Sequence, residues 1–143
     1  MKTKYAIRLA YDGTDFCGWQ TQNSIGDKAN PRPSIEETIV AAVLDLSGEV
    51  VTVTASGRTD AGVHASGQVA HFRLEKQRFC EDRLLLGLNH RLPGSVRIVA
   101  LGKAPDQFHA GRAIAKQYSY YFQVGSANLP HFQRYTTWCR EPL

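Results

Sequence analysis

A chain of 143 residues suits one compact domain, and with 43% hydrophobic and 21% charged residues it can bury a core, which excludes a disordered tail. Seventeen Lys plus Arg against thirteen Asp plus Glu give a net charge of +4 and a pI of about 9.1. That balance suits a polyanionic partner without identifying one.

Residues 5–11 partly alternate aromatic and aliphatic side chains with polar ones and read as a first strand. Asp12-Gly13-Thr14-Asp15 reads as a turn. Residues 16–22 are aromatic and polar. Residues 23–33, with Gly26, Asp27, Asn30, Pro31 and Pro33, read as a loop. Ser34-Ile35-Glu36-Glu37 is a capping box, because the Ser34 hydroxyl can satisfy a free N–H while Glu37 reciprocates. The helix it opens spans residues 35–46, with Ile35, Ile39, Ala42, Val43 and Leu46 on one face and Gly48 as its stop.

The β-branched run 50–55 predicts a second strand and the alternation over 68–74 a third. Residues 81–91 predict a helix carrying Leu84, Leu85, Leu88 and Leu92. Pro93-Gly94 breaks the chain before a fourth strand over 96–101. Residues 104–115 read as a loop with a short helical turn, and residues 116–124 as a fifth strand. The order predicts an α+β, ferredoxin-like split β-α-β-β-α-β fold with an added strand. Its sheet is mainly antiparallel, with helices on one face. From Ser126 the periodicity fades, and the chain stops soon after an aromatic stretch around Trp138, as if unfinished.

Cys17, Cys80 and Cys139 are odd in number and far apart, which argues against a disulfide framework or a zinc site and for a reducing compartment. No apolar run spans a bilayer, and Arg8 and Asp12 interrupt any signal-peptide core, so a cytoplasmic location is the default. His64 and His71 are seven apart, and His90, His109 and His131 are isolated, so no metal pattern emerges. His71, on a strand, reads as structural.

The densest polar cluster is Gly57-Arg58-Thr59-Asp60-Ala61-Gly62-Val63-His64-Ala65, between two strands. Loops on a rigid sheet are the usual seat of reactive groups. Arg58 and Asp60, two apart, point the same way on an extended backbone, where an Arg fork would keep the carboxylate ionised and oriented. Such an Asp serves as nucleophile or general base. The plainer alternative is a tight turn in which Asp60 caps its own backbone and Arg58 makes a surface pair. Tyr118 and Tyr120 share one face of the fifth strand and Tyr121 takes the other. Beside Arg112 and Lys116 they suit either sheet packing or base stacking with phosphate contact. Phe16, Trp19 and Gln20 near Asp12 would form a similar mixed surface.

These segments together resemble the bacterial tRNA pseudouridine synthase A family. The residues from Tyr11-Asp12-Gly13-Thr14-Asp15 through Trp19-Gln20-Thr21-Gln22 look like its first motif. The cluster from Gly57 to Ala65 with Gln68-Val69 matches its active-site signature almost letter for letter. Phe108-His109-Ala110 and Lys116-Gln117-Tyr118-Ser119-Tyr120 resemble its next motif, and residues 132–143 the exit from its first domain. The resemblance implies isomerisation of uridine to pseudouridine at positions 38, 39 and 40 of the tRNA anticodon arm, without cofactor or metal. It makes Asp60 the catalytic carboxylate, attacking base or sugar as the glycosidic bond breaks. Arg58 becomes the arginine that pairs with it and holds the flipped-out nucleotide. Tyr118 becomes the tyrosine that packs on the target base and helps remove the C5 proton. Trp19, Gln20, His64, Arg112 and Lys116 are the candidate substrate contacts. A homodimer on the tRNA anticodon stem-loop is implied as well.

Two departures accompany the resemblance. Family members are about twice as long, so residues 1–125 correspond to the first α/β domain and 126–143 to the start of the interdomain segment, the second domain being absent. The stretch 23–33 is longer than usual, and Gly111 precedes Arg112 where the family has an arginine directly. The alternatives are an inactive RNA-binding domain derived from such an enzyme, and a ferredoxin-like module that binds protein.

Overall fold

The structure, a computed structural model, describes residues 1–20 and 32–143, so most of the expected 23–33 loop lies outside the described residues. The chain forms two compact units, Met1–Ala113 and Ile114–Leu143.

The first unit runs β1 (Thr3–Tyr11), α1 (Ile35–Ser47), β2 (Thr54–Ala55), β3 (Ala65–Leu74), α2 (Glu81–Arg91) and β4 (Val96–Lys103). Short 3₁₀ turns lie at Gly13–Asp15 and Ala110–Arg112. The strands form one sheet in the order β2-β3-β1-β4, every pair antiparallel. This is the predicted split β-α-β-β-α-β arrangement with both helices on one face. Alternation along β1 explains the facing: Tyr5, Ile7, Leu9 and Tyr11 are buried, while Ala6 and Arg8 look the other way. Against the buried row pack Ile35, Ile39 and Val43 from α1 and Leu84, Leu88 and Leu92 from α2. Tyr5 also stacks on Phe72 of β3, with centroids 5.8 Å apart.

The α1 cap forms as the sequence predicts. Glu37 N–H donates to Ser34 Oγ at 3.0 Å, and Ser34 N–H donates to Glu37 Oε2 at 3.0 Å. Gly48 ends the helix with φ +75. The helices touch closely where Gly87 faces Leu46, since a Cβ there would stand 3.0 Å from a Leu46 methyl. This contact leaves Leu46 at the rim of the core, half-buried.

Two strand expectations need correction. The second strand is paired only at Thr54 and Ala55, although Val51 and Val53 are buried. A β-branched run favours extended backbone, whereas a ladder also needs a partner. At the other end of this segment the Glu49 carboxylate takes the Glu75 and Lys76 N–H groups, at 2.7 and 3.0 Å. The fifth strand does not extend the main sheet. In the second unit only Phe122–Val124 (β5) pairs, in parallel with Thr137–Cys139 (β6). Residues 116–121 are exposed and lie outside any ladder, because alternation fits any extended backbone. Gly125, at φ +151, turns the chain out of β5, and Trp138 Nε1–H donates to its carbonyl at 2.9 Å.

The outer edge of β4 is closed by side chains from α2. Asn89 donates to the Ile98 carbonyl at 2.8 Å and accepts its N–H at 2.9 Å, as a neighbouring strand would. Glu81 accepts the Lys103 N–H at 2.6 Å. Among the described residues no helix is long and apolar enough to cross a membrane.

Candidate active site

The polar cluster occupies the connection from β2 to β3. Its base is tied like a ladder rung: Ser56 N–H donates to the Val69 carbonyl at 2.8 Å. The Ser56 hydroxyl donates to Gln68 Oε1 at 2.7 Å, and the Gln68 amide donates to the Gly57 carbonyl at 2.6 Å. At its tip Val63 N–H donates to the Asp60 carbonyl at 3.1 Å, and Gly62 adopts φ +78. A four-residue turn with a left-handed third position is a glycine position. So the plainer reading is half right. There is a tight turn, but the backbone of Asp60 closes it, and the carboxylate is left over.

The loop after β1 forms the bed on which the cluster rests. The buried Tyr11 hydroxyl lies 2.8 Å from Thr59 Oγ1. Burial pushes the Tyr11 phenol up, against hydrogen bonds from Thr59 and Gln68 that pull it down. Trp19 N–H donates to the Thr59 carbonyl at 2.9 Å. Gly18, at φ +111, lies under the same carbonyl, where a Cβ would stand 2.6 Å from the oxygen. Gly13 N–H donates to His64 Nδ1 at 3.0 Å, and that nitrogen is 3.2 Å from Asp12 Oδ1. One nitrogen cannot accept from Gly13 and donate to Asp12 at once. Nδ1 without a proton makes the first contact, and Nδ1–H makes the second. Asp12 also accepts from Thr14 N–H at 3.1 Å and from its hydroxyl at 2.5 Å, closing the Gly13–Asp15 turn.

These ties present Asp60 to solvent on a tip held at both flanks, by Thr59 and by Val63 and His64. Among the described residues its carboxylate makes no hydrogen bond or ion pair. The expected Arg58–Asp60 pair is therefore not formed here. The Arg58 charge acts instead on a second carboxylate. That carboxylate is Glu36, in the first turn of α1. Burial raises the Glu36 pKa, Arg58 opposes the rise, and Glu37 adds to it. Glu36 N–H donates to the Trp19 carbonyl at 2.9 Å, which joins the helix start to the bed beneath Thr59.

The sequence candidates scatter otherwise. Trp19 is only 3% exposed, its ring 6.3 Å from that of Tyr11. Phe16 is buried too, so the mixed surface expected of Phe16, Trp19 and Gln20 reduces to Gln20, which is exposed. Arg112 is exposed at the end of its 3₁₀ turn. Lys116 and Tyr118 belong to the second unit and are exposed, Tyr118 at 66%. The supporting roles of Tyr11, Thr59 and Gln68 escaped sequence reading, although Asp12-Gly13-Thr14 carried a legible Asx-turn signal. Among the described residues no group of three His, Cys, Asp or Glu side chains is placed to hold a metal ion.

A family model described as tRNA pseudouridine synthase matches residues 7–111, a stretch that includes both loops. The chain is 39% identical to the tRNA pseudouridine synthase A of Bdellovibrio bacteriovorus, covering 100% of this chain and 54% of that protein. It is 37% identical to the tRNA pseudouridine synthase A of Brachyspira hyodysenteriae, over 94% of this chain and 52% of the relative. It is 41% identical to tRNA pseudouridine synthase A 1 of Protochlamydia amoebophila, over 94% and 50%. The chain thus spans about half the length of these relatives. A match over most of the chain, through the loop that carries Asp60 and the loop that supports it, places this protein in the tRNA pseudouridine synthase family.

Proposed function

We propose that this chain carries the catalytic loop of a tRNA pseudouridine synthase acting on uridines 38, 39 and 40 of the anticodon arm, with Asp60 as the catalytic carboxylate. The observation that carries the reading is Asp60 itself: an exposed carboxylate, without a protein partner among the described residues, on a loop tip pinned at both flanks. A carboxylate meant only for structure is normally spent on a cap or an ion pair. A catalytic one must be both positioned and available.

The isomerisation breaks the bond from N1 to C1′, forms one from C5 to C1′, and moves the proton count from carbon to nitrogen: C5 loses a proton to solvent and the freed N1 gains one. No redox partner is needed. Asp60 attacks the base or the sugar as the first bond breaks. The target uridine must leave the stack to be reached, and an exposed tip can receive it. Arg58, also exposed, holds the flipped nucleotide on the Asp60 side of the loop. Tyr118 packs on the target base and takes part in removing the C5 proton. Gln20, His64, Arg112 and Lys116 contact the RNA, with Trp19 acting through the bed it helps to form. The net charge of +4 supports a polyanionic partner, and the reaction takes place in the cytoplasm on a homodimer.

A second reading is RNA binding without catalysis, which the net charge of +4 supports without calling on the Asp60 carboxylate. Tritium release from C5-labelled tRNA, measured for this chain and for Asp60→Asn, decides between them. Release by the parent alone establishes Asp60-dependent isomerisation. Salt-sensitive tRNA binding by both, without release, establishes the second reading.

A further inference from the structure

Two buried polar side chains take no part in the Asp60 loop. Lys4 is 6% exposed and His71 is 9% exposed, and both lie on the sheet face opposite the helices, one residue out of phase with Tyr5 and Phe72. Each is spent on the backbone of the segment after β4. Lys4 Nζ donates to the carbonyls of Asp106 and Phe108, at 2.5 Å each. His71 Nδ1 accepts the Ala110 N–H at 3.2 Å. His109 Nδ1 accepts the Gly111 N–H at 3.1 Å, and its ring meets that of His71 edge-on, centroids 5.0 Å apart. Arg73, on the same face, pairs with Asp106 at 2.9 Å. The last tie, Arg112 N–H to the His109 carbonyl at 3.0 Å, fixes the backbone of Arg112.

We infer that Lys4, His71 and His109 are positioning residues for Arg112, clamping the backbone from Asp106 to Gly111 onto the open sheet face so that the guanidinium stands ready for an RNA phosphate. A buried ammonium and a buried imidazole cost free energy unless satisfied, and here the same backbone segment satisfies both. A plain loop could be held by apolar packing. This one is held at successive backbone groups leading to one exposed arginine. The clamp requires neutral rings, because a protonated Nδ1 would set an N–H against an N–H. Burial lowers the His71 pKa most, and the His109 imidazole, Lys4 and Arg73 lower it further.

The inference rests on the proposed reading that Arg112 meets RNA, and a double-mutant cycle tests it. The readout is the slope of log tRNA affinity against log salt, whose steepness falls by about 0.7–0.9 for each phosphate that is no longer neutralised. His71→Leu and Arg112→Ala should each lower the steepness by about one phosphate's worth, and the double variant by no more than either. His71→Asn, which offers a fixed acceptor near the Nδ1 position, should keep the parent slope. A parent slope in His71→Leu, a double variant whose slope falls by twice as much as either single variant, or no rescue by Asn would overturn the inference. If the parent binds no tRNA, the functional reading fails, and the clamp is judged on hydrogen exchange at the Ala110 amide. Protection in the parent that disappears in His71→Leu and is kept in His71→Asn supports the clamp; an unprotected parent amide overturns it.

Discussion

A Cβ on Gly13 would lie 2.0 Å from the carbonyl oxygen of Val63, so the loop after β1 and the loop carrying Asp60 meet backbone to backbone. The contact allows Gly13 N–H to reach His64 and keeps the Asp60 tip flush on its bed. Gly13→Ala must push the loops apart. It should destabilise the first unit by about 1–3 kcal/mol and abolish C5 tritium release. Chemical denaturation beside the tritium assay checks both, and an alanine variant with parental stability and turnover would show that the bed does not position Asp60.

Asp60→Asn should cost activity without costing stability. The carboxylate is exposed and makes no bond among the described residues, so its loss should move stability by no more than about 0.5 kcal/mol. Isomerisation should vanish, with tRNA affinity within a few-fold of the parent. A large fall in melting temperature would mean that Asp60 has a structural duty.

Asn89→Leu removes the side chain that stands in for a neighbouring strand at Ile98. An unpaired edge recruits strands from other molecules. We expect a loss of roughly 1–3 kcal/mol, faster exchange at the Ile98 amide, and concentration-dependent association beyond that of the parent in sedimentation velocity. Unchanged exchange and unchanged association would show that Asn89 does not guard the edge.

His71 predicts a pH dependence of stability. Its folded pKa lies below the ordinary value of 6.5, chiefly through burial and then through His109, Lys4 and Arg73. The unfolded chain therefore binds more protons as the pH falls, and stability is lost on the acid side of about 6.5. Glu36 has the opposite sign: its raised carboxyl pKa removes stability as the pH rises through the carboxylate range near 4.5, a separate window. Melting temperatures should fall from pH 7.5 to 5.5, and fall less in His71→Asn. An equal fall in the variant would clear His71 of the effect.

Much of the fold was legible because its signals are local. The box Ser34-Ile35-Glu36-Glu37 fixed the start of α1, and the leucine spacing gave α2 with the bounds observed, Glu81–Arg91. Alternation placed Tyr5, Ile7 and Leu9 inward. The β-branched run overran at residues 50–53 and the alternation at 116–121, because neither signal records whether a partner strand is present.

What the sequence by itself determined was the order of elements, the loop that holds Asp60 and the family to which the chain belongs. Each depends on residue types at short spacing. What only the tertiary structure decided was how those residues are used. Trp19 turned inward onto Tyr11, and the Arg58 charge acts on Glu36 rather than pairing with Asp60. Gly13 and Gly18 became the floor of the site, and Lys4 and His71 became ties for a distant segment. Most of these relationships join positions tens of residues apart, and long-range pairing follows from how sheet and helices pack together.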